Sequence, residues 1–553
     1  MRLSDWIVPP KFKWLIFHVL GWNIVVVSEG PGEQKFFRGL PNLPFFQGSQ
    51  TKPFLGKLNG EFRPTVIVDG LVKLIIKSDQ LIERLRVGVG VRPNHHAKTV
   101  RFQINGQNRG ELTNLEAVDR CPPSGEWQDL DLSLSAVSRE IELEVTAPDS
   151  EIYLSYPLPF FTRQSDSSPS RKNIIVIVLD AVSYRFLTRM PRTQDFFRSG
   201  INCSQVFTQG YWTLPAFSSL ITGLYPSRHG VNPPRGDTFL DEDMAVLPDL
   251  LRQAGFRTFG YSSHKRFAPI YGHAKGFERF IFRPLDYKNY ISLSLGEAIE
   301  QLATHRDESN FVLLHVFDTH PPFEPALYYQ NSKRSTNRLI NTQRKKFEND
   351  FERRDYDDLL IAKLASIDLA LSSLYDYVKR EGQEETVVIL TADHGIIPGT
   401  VGKPLLLEDN TRIPLLVRGP GMAPIEVSDL IEGSVDFFPS ILRLAGLPLP
   451  PGIDGRPWPF LGGERREQAL SESLYPGEYQ AALRDRRTVT HFTCPLDLTA
   501  RKLQFGARRA LSYFRKSGAD QEDQSIINSD FLDSKTKFLR QHLKKALKLE
   551  LLE

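Results

Sequence analysis

Cysteine is scarce in this chain: there are three among 553 residues, Cys121, Cys203 and Cys494, scattered, odd in number and without metal-ligand spacing. That excludes a disulfide framework and leans toward a reducing compartment. Charge of one sign is lacking too. Lys and Arg together number 69 against 66 for Asp and Glu, a net charge of +3 that is too small for an extended nucleic-acid surface. A long apolar run is also missing. Residues 14–27 (WLIFHVLGWNIVVV) fall short of a bilayer span, carry His18 and Asn23, and are not followed by a small-residue cleavage site. A buried strand or core segment is therefore expected there, ahead of a signal sequence, and a cytoplasmic location ahead of export.

What is present is ample core material, 41% hydrophobic residues over a length sufficient for two to four domains. Residues 65–157 alternate apolar and polar positions in short runs such as TVRFQIN and REIELEVT, punctuated by Asn105-Gly106, which predicts an antiparallel β-sandwich. His95 and His96 form a pair of imidazoles in a predicted loop, read as solvated, and the sandwich is read as a scaffold over 1–161. The polar stretch 162–172 (TRQSDSSPSRK) is a linker. From 173 to 465, apolar strands alternate with amphipathic helices, the rhythm of a doubly wound, largely parallel α/β sheet. Residues 466–553 form a carboxy-terminal subdomain.

The strand predicted at 173–180 (NIIVIVLD) has six consecutive Ile, Val or Leu residues and ends in Asp180. Such a strand is buried on both faces, and its carboxyl end lies on the rim where open α/β sheets bind ligands. An Asp there either caps the next helix or holds a cation. A second apolar strand, 386–395 (TVVILTADHG), delivers Asp393 and His394 to the same rim, and a third, 311–320 (FVLLHVFDTH), delivers His320. Carboxylate with imidazole suits Zn, Mn or a similar divalent ion. A nucleophile is needed beside it. Thr213 opens a short helical run (TLPAFSSLITG), where oriented N–H groups attract anions, and Ser218 and Ser219 are rival hydroxyls with packing as their alternative occupation.

Taken in order, these segments resemble the sulfatase branch of the alkaline phosphatase superfamily over roughly residues 173–461: NIIVIVLDAVS for the first metal Asp, TLPAFSSLITGLYPSRHG for the nucleophile signature, LLRQAGFRTFGYSSH, TADHG with GKPLLLEDNTRIPLLVRGPG, and VDFFPSILRLAGLPLPPGIDG. The departures carry as much information. Sulfatases place Cys or Ser, matured to formylglycine, at the nucleophile with an Arg four residues on; here stand Thr213 and Phe217. The second strand-end Asp is replaced by Ala181, and the Asp-Asn pair by Asp393-His394. This set is similar to phosphonate monoester hydrolases, lipoteichoic acid synthases and phosphoethanolamine transferases.

The resemblance implies one divalent ion, Mn or Zn before Ca or Mg, held by Asp180, Thr213, Asp393 and His394, with Thr213 also the nucleophile and no formylglycine. It implies catalytic contacts from His320 and Lys403 to the non-bridging ester oxygens, and substrate-side roles for His264, Arg228 and His229, with pairing of Arg228 to a buried carboxylate as its structural alternative. A second cation pocket from Asp318, His320 and His264 is weighed and set behind the single ion. The expected reaction is cleavage of a phosphodiester, phosphonate or phosphomonoester through a phosphothreonine, with release to water (hydrolase) or to a sugar or lipid hydroxyl (transferase). A sulfate ester hydrolase without formylglycine and a degenerate scaffold with a glycan-binding sandwich are the alternatives. Substrates are small-molecule, glycan or lipid-linked esters, and no nucleic acid is expected. The charged segment 332–358 is read first as solvated helix surface and second as a lid, Glu472 as the lead into a small sheet, and the basic amphipathic stretch 535–553 as a helix packing on its own domain or touching a membrane surface peripherally.

Overall fold

Six residues with no polar side to offer solvent must be covered on both faces, and in the computed structural model Ile174 to Leu179 are each at most 1% exposed. The structure describes residues 45–47, 54–58, 61–91, 96–116, 127–155, 157–161, 172–231, 239–241, 243–283, 290–320, 350–382, 386–395, 406–475, 477–497, 502–514, 529–544 and 550–552. The run 14–27, His95, Cys121, the linker up to 171 and Lys403 lie outside the described residues, as does 332–349 of the charged segment.

The amino-terminal part contains β1 (Glu61–Val91), β2 (His96–Ile104), β3 (Gln107–Glu116) and β4 (Gln128–Ser155). The central part contains β5 (Asn173–Leu179), α1 (Thr213–Thr222), β6 (Arg257–Ser262), β7 (Arg279–Phe282), α2 (Tyr290–Thr304), β8 (Asn310–Val316), α3 (Asp350–Tyr377), β9 (Thr386–Ala392), β10 (Leu415–Arg418) and α4 (Phe437–Ala445). The carboxy-terminal part contains β11 (Ala469–Tyr475), β12 (Gly477–Arg484), β13 (Thr488–Asp497) and α5 (Ser529–Lys544).

The central sheet runs β10-β9-β5-β8-β6-β7, with β9, β5, β8, β6 and β7 parallel and β10 antiparallel at one side. After β5 the chain places a short strand, Ile201–Cys203, beyond β10, then crosses to β6 and β7 on the other side, returns to β8 next to β5, and crosses again to β9. Strand order thus reverses about β5, and the crevice at its carboxyl end is the topological switch point. Its helices share one apolar core with the strands.

In the amino-terminal part the predicted short runs are joined into long strands. β1 and β4 pair antiparallel through several register shifts, at Asp69/Gly70 and Gly88/Val89 among others, so each bends and pairs again beyond the bulge. The Asn105-Gly106 signal is a two-residue hairpin between β2 and β3, with φ of 50° and 77° at its two residues and Ile104 opposite Gln107. This part has its own apolar core, yet its sheet is not separate: Phe62 and Glu61 of β1 pair with Phe280 and Ile281 of β7. The pairing covers the edge that β7 would otherwise expose, and Glu61 accepts from Arg279 at 2.6 Å across the seam.

The charged segment reads as two things at once. Its last residues, from Asp350 onward, are the first turns of α3. The apolar stripe of α5 is occupied: Leu539 and Leu543 are fully buried in the core of the carboxy-terminal sheet, and Lys535 pairs with Asp485 at 2.7 Å. That face is turned to the chain's own sheet.

Candidate active site

The switch point assembles the site because adjacent strands end in register. Leu179 of β5 faces Val316 of β8 and Ala392 of β9, so the residues that follow or precede those ends, Asp180, His315 and Asp393, come to one level. His264 arrives from the loop two residues beyond β6. Ala181, where the family places a second Asp, adopts a φ of 58°, a left-handed conformation costly for a residue with a Cβ. The turn aims its N–H at Asp393 Oδ1, 3.1 Å away, while the His394 N–H reaches the same oxygen at 2.8 Å. Asp393 Oδ2 is thereby left facing the site. Thr319 Oγ1 donates to the Asp180 carbonyl at 2.5 Å and fixes the end of β5.

Thr213 is the first residue of α1, Trp212 takes the capping position, and the threonine side chain is free for another use. Its Oγ1 lies 3.4 Å from His394 Nε2. His394 Nδ1 donates to the Gly395 carbonyl at 2.6 Å, which sets the tautomer and leaves Nε2 with a lone pair toward Thr213, Asp180 and Asp393. Gly395 is required there: a Cβ would overlap the Asp409 carbonyl. The rival hydroxyls are occupied, Ser218 with His273 at 3.0 Å and Ser219 with His229 at 3.1 Å.

Two groups of metal-competent donors share Asp180: Asp180, Asp393 and His394, and Asp180, His264 and His315, each with donor atoms within 4.8 Å of one another and all five residues buried. Within the first, His394 Nε2 stands 3.7 Å from Asp180 Oδ1 and 3.6 Å from Asp393 Oδ2. Donors bound to one tetrahedral Zn at about 2.0–2.1 Å stand about 3.3 Å apart, so modest closure brings this set onto one ion. Both Asp180 carboxylate oxygens and Asp393 Oδ2 are buried without a hydrogen bond. Unsatisfied carboxylate oxygens at zero exposure are expensive unless a cation answers them. Burial lowers the pKa of His264 to about 4, so it is neutral at neutral pH. Burial, with the Asp180 charge alongside, pushes the Asp393 carboxyl up. A divalent cation would hold Asp393 ionised and would take His264 as the neutral imidazole that burial already favours. The residues present therefore fit one.

Asp180, Thr213, Asp393, His394 and His264 converge. His320 is half-buried at the margin, its ring 5.5 Å from His264 and 5.1 Å from Phe317. Arg228 and His229 are engaged elsewhere. Arg228 pairs with Asp454 at 2.6 Å and with the Gly452 carbonyl at 3.0 Å, the structural alternative, and His229 lies between Ser219 Oγ and the Val231 N–H. The alternative of a second pocket from Asp318, His320 and His264 is not formed as drawn: Asp318 turns to Lys363, 3.6 Å away, and neither it nor His320 belongs to the donor groups found among the described residues. His315 takes that place. Sequence reasoning passed over it, although a single imidazole inside the otherwise apolar β8 was the available signal. Phe217 stacks on Phe267 at 4.0 Å and meets the His315 ring edge-on at 4.7 Å, making an aromatic wall where an Arg was the family expectation.

A parallel sheet with its switch point lined by two acids, three imidazoles and a helix-terminal threonine defines a doubly wound α/β protein with a candidate metal centre. Residues 172–447 match the model of the Sulfatase family, and through this segment the chain belongs to that family. It is similar to the extracellular sulfatase SULF-1 homolog of Drosophila melanogaster, 26% identical over 360 residues that cover 54% of this chain and 32% of that protein. It is also similar to the N-acetylglucosamine-6-sulfatase of Bos taurus, 33% identical over 139 residues, 24% of either chain. The chain thus spans no more than about a third of these relatives' length. Among solved structures, the phosphonate monoester hydrolase of Silicibacter pomeroyi superposes with a TM-score of 0.52 at 17% identity, covering 69% of this chain and 96% of that one. The BT4656 structure in complex with D-glucosamine-2-N,6-O-disulfate superposes at 0.54 and 16% identity, covering 68% and 98%. At these identities the likeness is one of fold.

Proposed function

We propose that this chain is a metal-dependent ester hydrolase that cleaves a phosphate-type ester through a covalent intermediate on Thr213. The observation that carries the reading is the position of Thr213 Oγ1, buried at the start of α1 and 3.4 Å from His394 Nε2 beside the orphaned oxygens of Asp180 and Asp393. Asp180, Asp393 and His394 would hold a divalent cation, which would supply Lewis acidity and lower the pKa of the adjacent hydroxyl. The mixed oxygen and nitrogen donors favour Zn or Mn.

Thr213 Oγ gives up its proton to solvent as it bonds to phosphorus; the bond to the leaving oxygen breaks and that oxygen takes up a proton. Water then bonds to phosphorus, the phosphorus–Oγ bond breaks, and the hydroxyl is restored. With an acceptor hydroxyl in place of water the same two steps make a transferase. The amino-terminal N–H groups of α1 favour the negative charge arriving at Thr213. Phosphorus is preferred to sulfur because threonine bears a methyl on Cβ: its two-electron oxidation gives a ketone, not the aldehyde that sulfatases hydrate. Phe217 removes the arginine of the sulfatase pocket as well.

The test is a panel of phosphate monoesters, phosphodiesters, phosphonate esters and sulfate esters assayed with Zn and with Mn, followed by mass spectrometry of quenched enzyme. Phosphate on the peptide containing Thr213 is the expected result. Turnover of sulfate esters alone, or a quenched enzyme with no such adduct under burst conditions, would falsify the reading.

A further inference from the structure

We infer that the site holds a second divalent cation, bound by Asp180 Oδ2, His264 Nδ1 and His315 Nε2, with Asp180 bridging it to the first. The inference deepens the proposed function and rests on it for the substrate class alone. Its starting point is a set of atoms that have come together without bonding. His264 Nδ1 stands 3.1 Å and His315 Nε2 3.2 Å from the same oxygen, Asp180 Oδ2. At such distances a hydrogen bond is expected. Yet all three atoms are buried and none makes a hydrogen bond of good geometry. Donors clustered near 3.2 Å but misaligned for one another are arranged about a point between them, and about 3.3 Å is the edge of a tetrahedron with bonds of 2.0–2.1 Å.

The surroundings hold this arrangement. His315 lies inside β8, 0% exposed at its side chain, between the parallel strands β5 and β6, and its ring meets Phe217 at 4.7 Å and Phe267 at 5.6 Å. His264 stacks on Phe317 at 4.3 Å. An aromatic enclosure gives an imidazole no reason to be retained for solvation, and it fixes both rings with their nitrogens toward Asp180. The first group uses Asp180 Oδ1 and the second Oδ2, so one carboxylate serves both without competition.

Charge then selects the substrate. Asp180 and Asp393 balance one divalent cation, and among the described residues the donor set contributes no further charge once its imidazoles are neutral. A site with one cation suits a monoanionic ester, such as a phosphodiester. With two cations it carries an excess that matches a dianionic phosphate monoester.

The experiment is metal analysis of the whole chain after dialysis against Zn, beside the Mn(II) paramagnetic resonance spectrum of the Mn-loaded protein. Two ions per chain and an exchange-coupled Mn pair are expected for the wild type. His315→Gln and, independently, His264→Gln should each bind one ion and give an uncoupled spectrum, and should lose at least tenfold more phosphomonoester than phosphodiester turnover. A wild type that saturates at one ion overturns the second site, as does a folded His315→Gln protein that keeps the coupled pair. Equal loss on both ester types overturns the substrate assignment. Because stoichiometry and spectrum need no turnover, two bound ions without phosphoesterase activity would leave the second site standing and sink the proposed function, while phosphodiester turnover with one ion would do the reverse.

Discussion

Thr213 Oγ1 and His394 Nε2 stand 3.4 Å apart although 181 positions separate them in sequence, one at the start of a helix and the other just past a strand. Neither is placed by its neighbours in the chain. The strand register that brings Ala392 beside Leu179 does it, together with the tight turn at Ala181.

If that proximity serves nucleophilic attack, Thr213→Ala should lower turnover by roughly 10³–10⁶ while leaving the first cation bound, since Asp180, Asp393 and His394 remain. Thr213→Ser keeps the hydroxyl and should retain phosphorylation of the same peptide. Turnover with phosphate-ester probes and metal content of the two variants check this, and an alanine variant with wild-type rates would remove Thr213 from the chemistry.

Asp393 positions the cluster from two sides, accepting from Ala181 and His394 through Oδ1 and presenting Oδ2. Asp393→Ala should lose the first cation and release the Ala181 turn. Elemental analysis at equal protein concentration is the measurement. Full occupancy in the variant would strike Asp393 from the ligand set.

Phe217 is a test of how far this pocket has moved from a sulfatase one. It is fully buried, stacked on Phe267 and against His315. Phe217→Ala should cost about 3–5 kcal/mol by leaving a cavity, and Phe217→Arg should cost at least as much, because the charge would enter an apolar wall. Equilibrium denaturation gives the answer. A stable Phe217→Arg protein would mean that the aromatic wall opens to solvent. For the same reason Thr213→Cys, co-expressed with a formylglycine-forming enzyme, should gain no sulfatase activity.

What could be read from residues alone follows a physical divide. Asp180 and Asp393 were legible because each closes an apolar run whose burial and rim position follow from composition, and Asn105-Gly106 because left-handed turn residues advertise themselves locally. Thr213 was legible mainly through resemblance: as an isolated residue it is indistinguishable from a helix cap, and only the structure puts Trp212 in the capping position. His315 was missed although its strand was found, because only the strand's end was read for chemistry and an interior position was taken as packing. The pairing of β1 with β7 was invisible for another reason. Edge-to-edge pairing depends on which edge is left open after folding, and no local pattern records that.

The carboxy-terminal helix supplies a pH test. Glu472 accepts from the Ser227 N–H at 2.6 Å and from Tyr479 at 2.8 Å, and His542 of α5 lies 3.1 Å from it, so one carboxylate ties the helix to the turn that follows α1. Burial raises its pKa, but the His542 imidazole and the Ser227 donor outweigh burial and hold the carboxyl below its usual range. A depressed carboxylate contributes stability that is complete above its unfolded-state value and is lost as pH falls through the folded-state value. Acid, and not base, should therefore loosen α5 through Glu472. The protection factors of residues 529–544, corrected for intrinsic exchange at each pH, should stay high at neutral pH and fall as pH drops below the usual carboxylate range, ahead of those of β5, and Glu472→Gln should show the reduced protection already at neutral pH. Exchange in that variant as slow as in the wild type would mean that the apolar seat of Leu539 and Leu543 holds the helix without the carboxylate.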